Sequence, residues 1–150
     1  MREAEQTIGG ASEDAELLHA LARATDGLLM RSESDCPFTV VNLGNIDESL
    51  MNAHLRLLVV SQADATNVEL MIVETTTLEF FFRVAVKAAD WHDAPEHART
   101  LRFQALVEIL TRSLQHTRVY RIGTRDIAVF IVGQSTSGAW LGLHTRVIET

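Results

Sequence analysis

Val119-Tyr120-Arg121-Ile122, Ile127-Ala128-Val129-Phe130-Ile131-Val132 and Ala139-Trp140-Leu141-Gly142-Leu143-His144-Thr145-Arg146-Val147-Ile148 are apolar, β-rich runs separated by Gly123-Thr124 and by a Ser/Thr/Gly cluster at Ser135–Gly138. Runs joined by turns too short for a crossover pair as antiparallel neighbours. In the last run Leu141, Leu143, Thr145 and Val147 alternate with Trp140, His144, Arg146 and Ile148, which makes one face distinctly more apolar. Such a face needs a cover, and the rest of the chain supplies helices.

Upstream of the three runs, Asp93-Ala94-Pro95-Glu96 combines a side-chain cap with an early proline whose missing N–H costs nothing there. Ala98, Leu101, Ala105, Leu106, Ile109, Leu110 and Leu114 follow at helical spacing, so a helix is expected to about Gln115. Thr76 and Glu79 have capping-box spacing ahead of Phe80-Phe81-Phe82, and predict a short helix. Val68 to Val73 is β-branched enough for a strand.

Asp47 is placed to cap a stretch carrying Leu50, Met51, His54, Leu55 and Leu58, yet Leu55 to Val60 is equally strand-like, and periodicity leaves both readings open. Phe38, Val40, Val41 and Leu43 read as the first strand, fed by the polar cluster Ser32-Glu33-Ser34-Asp35-Cys36-Pro37. Leu17, Leu18, Leu21, Ala24 and Leu28 predict a helix from about Glu13 to Asp26, with Ser12 as a cap and Gly27 near its end. Residues 1–11, poor in apolar side chains and carrying Gly9-Gly10, read as a flexible leader to a single domain at 12–150. The expected architecture is an α+β domain, a mainly antiparallel sheet flanked by helices.

The chain has 150 residues, of which 47% are hydrophobic, enough for one core without a staple. Its 20 acidic against 13 basic residues give a net charge of -7, which disfavours direct nucleic-acid binding and favours basic partners. A single cysteine, Cys36, excludes an internal disulfide and fits a cytoplasmic location. The acidic first 16 residues do not read as a secretory signal, and no apolar stretch is long enough to predict a membrane span.

Little in the chain points to catalysis. His92 and His97 are five apart, which does not place two ligands on one helical face, and no metal or other cofactor is expected. No Walker loop, Gly-x-Gly-x-x-Gly or Gly-x-Ser-x-Gly occurs. Cys36 sits beside Asp35, which disfavours a thiolate, so a packing role fits it best. A small enzyme with a cleft between helix and sheet remains a rival reading, resting only on the histidines and scattered carboxylates.

Asp26-Gly27-Leu28-Leu29 followed by Ser32-Glu33-Ser34-Asp35-Cys36-Pro37-Phe38 resembles the nuclease A inhibitor family. Phe81-Phe82, Asp90-Trp91, Phe103-Gln104-Ala105-Leu106, Val119-Tyr120-Arg121-Ile122-Gly123 and Thr145-Arg146-Val147-Ile148-Glu149-Thr150 continue the resemblance in the family's order. It covers about 15–38 and 80–150, while 39–77 matches loosely and Cys36 stands where an aromatic is expected. The resemblance implies an α-β-α sandwich similar to the pathogenesis-related-1 (PR-1) fold. It also implies a non-catalytic inhibitor of a magnesium-dependent, sugar-nonspecific DNA/RNA nuclease.

In that pattern Glu33 and Thr150 approach the nuclease's metal, with Ser32, Ser34, Asp35 and Glu149 as further partner-binding residues. A basic nuclease is the expected partner of a chain that is monomeric when free. Independently of the family, a groove that grips phosphates with cations and a metal attracts well-placed carboxylates, and Glu33, Asp35, Glu149 and the α-carboxylate of Thr150 are candidates. A regulatory module binding another basic protein through the altered middle is the alternative. The reading requires the early bend and the last residues to meet in space.

Overall fold

A computed structural model describes the backbone of residues 2–62, 72–89, 91 and 93–149, and the side chains of residues 12–60, 72–89, 91 and 93–149. The three apolar runs form β5 (Gln115–Ile122), β6 (Asp126–Gln134) and β7 (Trp140–Ile148), antiparallel neighbours as expected. β3 (Thr39–Gly44) adds to β7 and β4 (Val73–Thr76) to β5, giving the order β3-β7-β6-β5-β4 with every pairing antiparallel. A separate two-stranded ribbon, β1 (Leu29–Met30) with β2 (Cys36–Pro37), frames the bend at Ser32–Asp35.

Odd and even positions of β6 point to opposite faces. Ile127, Val129 and Ile131 join Leu141, Leu143 and Val147 under α1 (Arg2–Thr25), α3 (Leu78–Phe81) and α4 (Ala94–Ser113), where Leu21, Leu78, Phe103, Leu106 and Leu110 meet them. Phe130 and Val132, with Tyr120, Ile122 and Trp140, pack beneath Met51 and Leu55 of α2 (Met51–Gln62). The second face is therefore a second core, although the alternation in β7 marked it as the more polar one. Trp140 accounts for the difference: it is buried, and its indole N–H donates to the Ile46 carbonyl at 2.9 Å, which ties the approach to α2 onto the sheet. Mixed helices and an antiparallel sheet make this an α+β fold.

Local chemistry explains the element ends. Asp93 accepts from the Glu96 N–H at 2.9 Å, capping α4 as its sequence predicts, and the helix stops at Ser113, just short of the expected end. The cap of α3 is Thr77, which accepts from the Phe80 N–H at 3.1 Å; Thr76 belongs to β4 instead. Asp47 accepts from the N–H and hydroxyl of Ser49 and starts a 3-10 turn at Glu48–Leu50 that runs into α2, which settles the ambiguous stretch as helix. Gly27, with φ at 71°, turns the chain after α1 and lets Leu28 donate back to Thr25.

Of the expected strand at 68–73, residues 68–71 lie outside the description, Ile72 precedes β4 and Val73 opens it. The expected helix start near Glu13, with Ser12 as its cap, is not found, because α1 already runs from Arg2 and places Ser12 inside it; the side chains of residues 1–11, the expected leader, are not described. No helix among the described residues is long and apolar enough to cross a membrane.

Candidate functional site

Two stretches far apart in sequence are stitched together at the site. The Ser32 hydroxyl donates to the Ser34 carbonyl at 2.7 Å and accepts from the Ile148 N–H at 3.0 Å. The Glu33 N–H donates to the Ile148 carbonyl at 3.2 Å, so the bend and the outgoing end of β7 are bonded in both directions. A third tie comes from Thr145, buried in β7, whose hydroxyl donates to the Pro37 carbonyl at 2.9 Å. The early bend and the last described residues therefore adjoin, as the sequence reading required.

The sequence-predicted residues divide among different environments. Ser32, Glu33 and Glu149 line one open groove of about 800 Å³. Ser34 and Asp35 are exposed on the same bend but do not line that groove. Glu149, a candidate partner-binding carboxylate, is held within the chain: Arg121 donates to it at 2.8 Å, and its own N–H donates to the Arg125 carbonyl at 2.8 Å. Thr150 lies outside the described residues.

The groove is electrically mixed. Glu33, Glu74 and Glu149 face it together with Arg31, Arg83 and Arg121, so the acidic excess of the whole chain is not concentrated there. Arg83 lies over the Phe80 ring at 3.8 Å and donates to the Phe80 carbonyl at 2.7 Å, which holds a guanidinium and an exposed aromatic side by side. Beside it a smaller hollow of about 230 Å³ is walled by Met30, Phe81, Val84, Trp91 and Phe103. Arg31 makes a two-pronged bond to Glu96 at 3.2 and 2.7 Å, and Arg99 reaches the same carboxylate at 2.9 Å, linking the bend to the first turn of α4.

Several of these residues escaped the sequence reading. Three consecutive phenylalanines cannot all face inward on a helix, whose neighbours are about 100° apart. Phe82 is buried, Phe81 is half-buried and Phe80 is exposed at the groove. Trp91 is 82% exposed, which removes it from the core. The signal was present in the run of aromatics, but only the helix phase shows which ring turns outward.

Among the described residues no group of three His, Cys, Asp or Glu side chains is placed to hold a metal. Cys36 is buried, with its thiol 3.9 Å from the Ser34 carbonyl, the packing role expected of it. No curated protein matches the chain. The model of the nuclease A inhibitor-like protein family matches residues 15–150, running through the middle segment that resembled the family only loosely. With that match over nearly its whole length, and with the bend and the end of β7 joined, the chain belongs to the nuclease A inhibitor-like protein family.

Proposed function

We propose that this protein is a non-catalytic inhibitor that plugs the active site of a magnesium-dependent, sugar-nonspecific nuclease. The observation that carries the reading is the bonding of Ser32 and Glu33 to Ile148, which brings the acidic bend beside the outgoing end of β7. A nuclease without base preference holds phosphates by cations and a metal, and a carboxylate at the right height takes the place of a phosphate oxygen. Glu33, exposed at the groove, fills that role, and Thr150 approaches the metal beside it. Ser32 fixes the bend, Ser34 and Asp35 meet the cationic rim, and Glu149 orients the last residues.

The scaffold is an α-β-α sandwich of the PR-1 type, monomeric when free and working in the cytoplasm against a basic partner. Titration of the protein into a sugar-nonspecific nuclease should abolish DNA cleavage at a near-stoichiometric ratio. Glu33→Gln, which keeps shape and removes charge, should weaken inhibition on the order of 30-fold, since it leaves the partner's cationic site uncompensated. Full nuclease activity under micromolar excess of protein, across several such nucleases, would overturn the proposal.

A further inference from the structure

Arg121 sits on β5, in register with Glu74 on β4 and Val129 on β6, on the face of the sheet that α1, α3 and α4 cover. Its side chain is three-quarters buried at the floor of the groove, where one Nη is 2.8 Å from Glu149 and the other 4.0 Å from Glu74. Among the described residues its buried Nε–H has no hydrogen-bond partner. Burying a guanidinium this far, with one donor unmet, is a poor way to gain stability; an apolar side chain of similar length would do better. What the guanidinium provides is direction, because it fixes the Glu149 side chain in one place.

The backbone ties described above hold Ile148 on both sides and the Glu149 N–H, and Arg121 holds the Glu149 carboxylate. We propose that Arg121 is a positioning residue, which clamps Glu149 at the end of β7 and so presents that residue, already ordered, to a nuclease. This deepens the inhibitor reading and rests on it. An ordered segment loses less conformational entropy on docking than one that must be fixed at the moment of contact, and that difference appears as affinity.

The test uses the full chain and two independent readouts. Arg121→Met keeps the buried stem and removes the charge, whereas Arg121→Lys keeps the charge on a different head. In Arg121→Met, hydrogen exchange at the Glu149 amide should accelerate about 10-fold while the amides of Val129 and Leu141 keep their protection. Inhibition of nuclease cleavage should weaken about 10-fold, and Arg121→Lys should recover part of both losses. Loss of protection at Val129 would mean that the methionine variant has loosened the core; Glu149→Gln then breaks the same ion pair from its exposed end and should accelerate the same amide.

Wild-type exchange at Glu149 in the variants would overturn the clamp, and so would faster exchange with undiminished inhibition. Should the wild-type protein leave every nuclease active, the inhibitor reading falls, and with it the link to docking. Exchange at Glu149 would then separately decide whether Arg121 holds the segment.

Discussion

His144 lies flat against Phe130, with ring centroids 4.6 Å apart and the planes 11° from parallel, on the face of the sheet that α2 covers. Burial first, and the Arg146 charge second, push its pKa below the ordinary 6.5. Above that value the folded and unfolded chains both carry a neutral ring, and nothing is lost. Below it the unfolded chain takes up a proton that the folded chain resists, so stability falls as pH drops through 6.5. His144→Gln should remove this part of the acid loss: urea unfolding of both proteins between pH 7.5 and 5.5 should give curves that converge on acidification, and parallel curves would refute it. Gly142 makes a different residue-scale point, because a Cβ there would overlap the Ile131 carbonyl oxygen of the adjoining strand. Gly142→Ala should therefore cost more than about 2 kcal/mol by overpacking, read as a lowered urea midpoint. At this scale the sequence displayed residue types but not pairings. The pairing of Glu149 with Arg121, 28 positions away on another strand, could not be read from the sequence.

The elements were legible where local chemistry and periodicity agreed. α4 followed from Asp93, Pro95 and its apolar stripe, and β5 to β7 from three β-rich runs with turns between them. β1 and β2 were not legible, since two residues each carry no period, and the ribbon is tied to β7 by Ser32 and Glu33, which bond to Ile148, and by the Thr145 hydroxyl of β7, which donates to the Pro37 carbonyl. The ambiguous stretch from Leu50 to Val60 is helical where it lies on the second apolar face of the sheet, a tertiary fact that no window of sequence contains. The cap of α4 also serves the site, since Glu96, whose N–H Asp93 receives, holds Arg31 at the bend. Asp93→Ala should lower stability by about 1 kcal/mol, measured by denaturant unfolding. It should also loosen the Arg31 contact, seen as faster amide exchange at Ser32–Asp35 with the β6 amides unchanged.

For the whole molecule the decisive contrast is between a net charge of -7 and a groove in which three carboxylates face three guanidiniums. On the proposed reading, long-range attraction to a basic nuclease would come from the total, whereas the hold after contact would come from the few groups at the bend. The two act on different rates, which makes them separable. Raising salt from about 0.1 M to about 1 M shortens the screening length from about 10 Å to about 3 Å, so the association rate should fall at least about 10-fold. The same change should leave the dissociation rate nearly unaltered, because groups buried in the contact are screened far less. Glu33→Gln should show the reverse pattern in stopped-flow or surface-binding kinetics, with dissociation much faster and association within about twofold, since it removes one charge of the seven while losing the group proposed to meet the cationic site. If salt accelerated dissociation as strongly as the substitution does, the contact would be a diffuse, solvated charge encounter, and a seated carboxylate would no longer account for the inhibition.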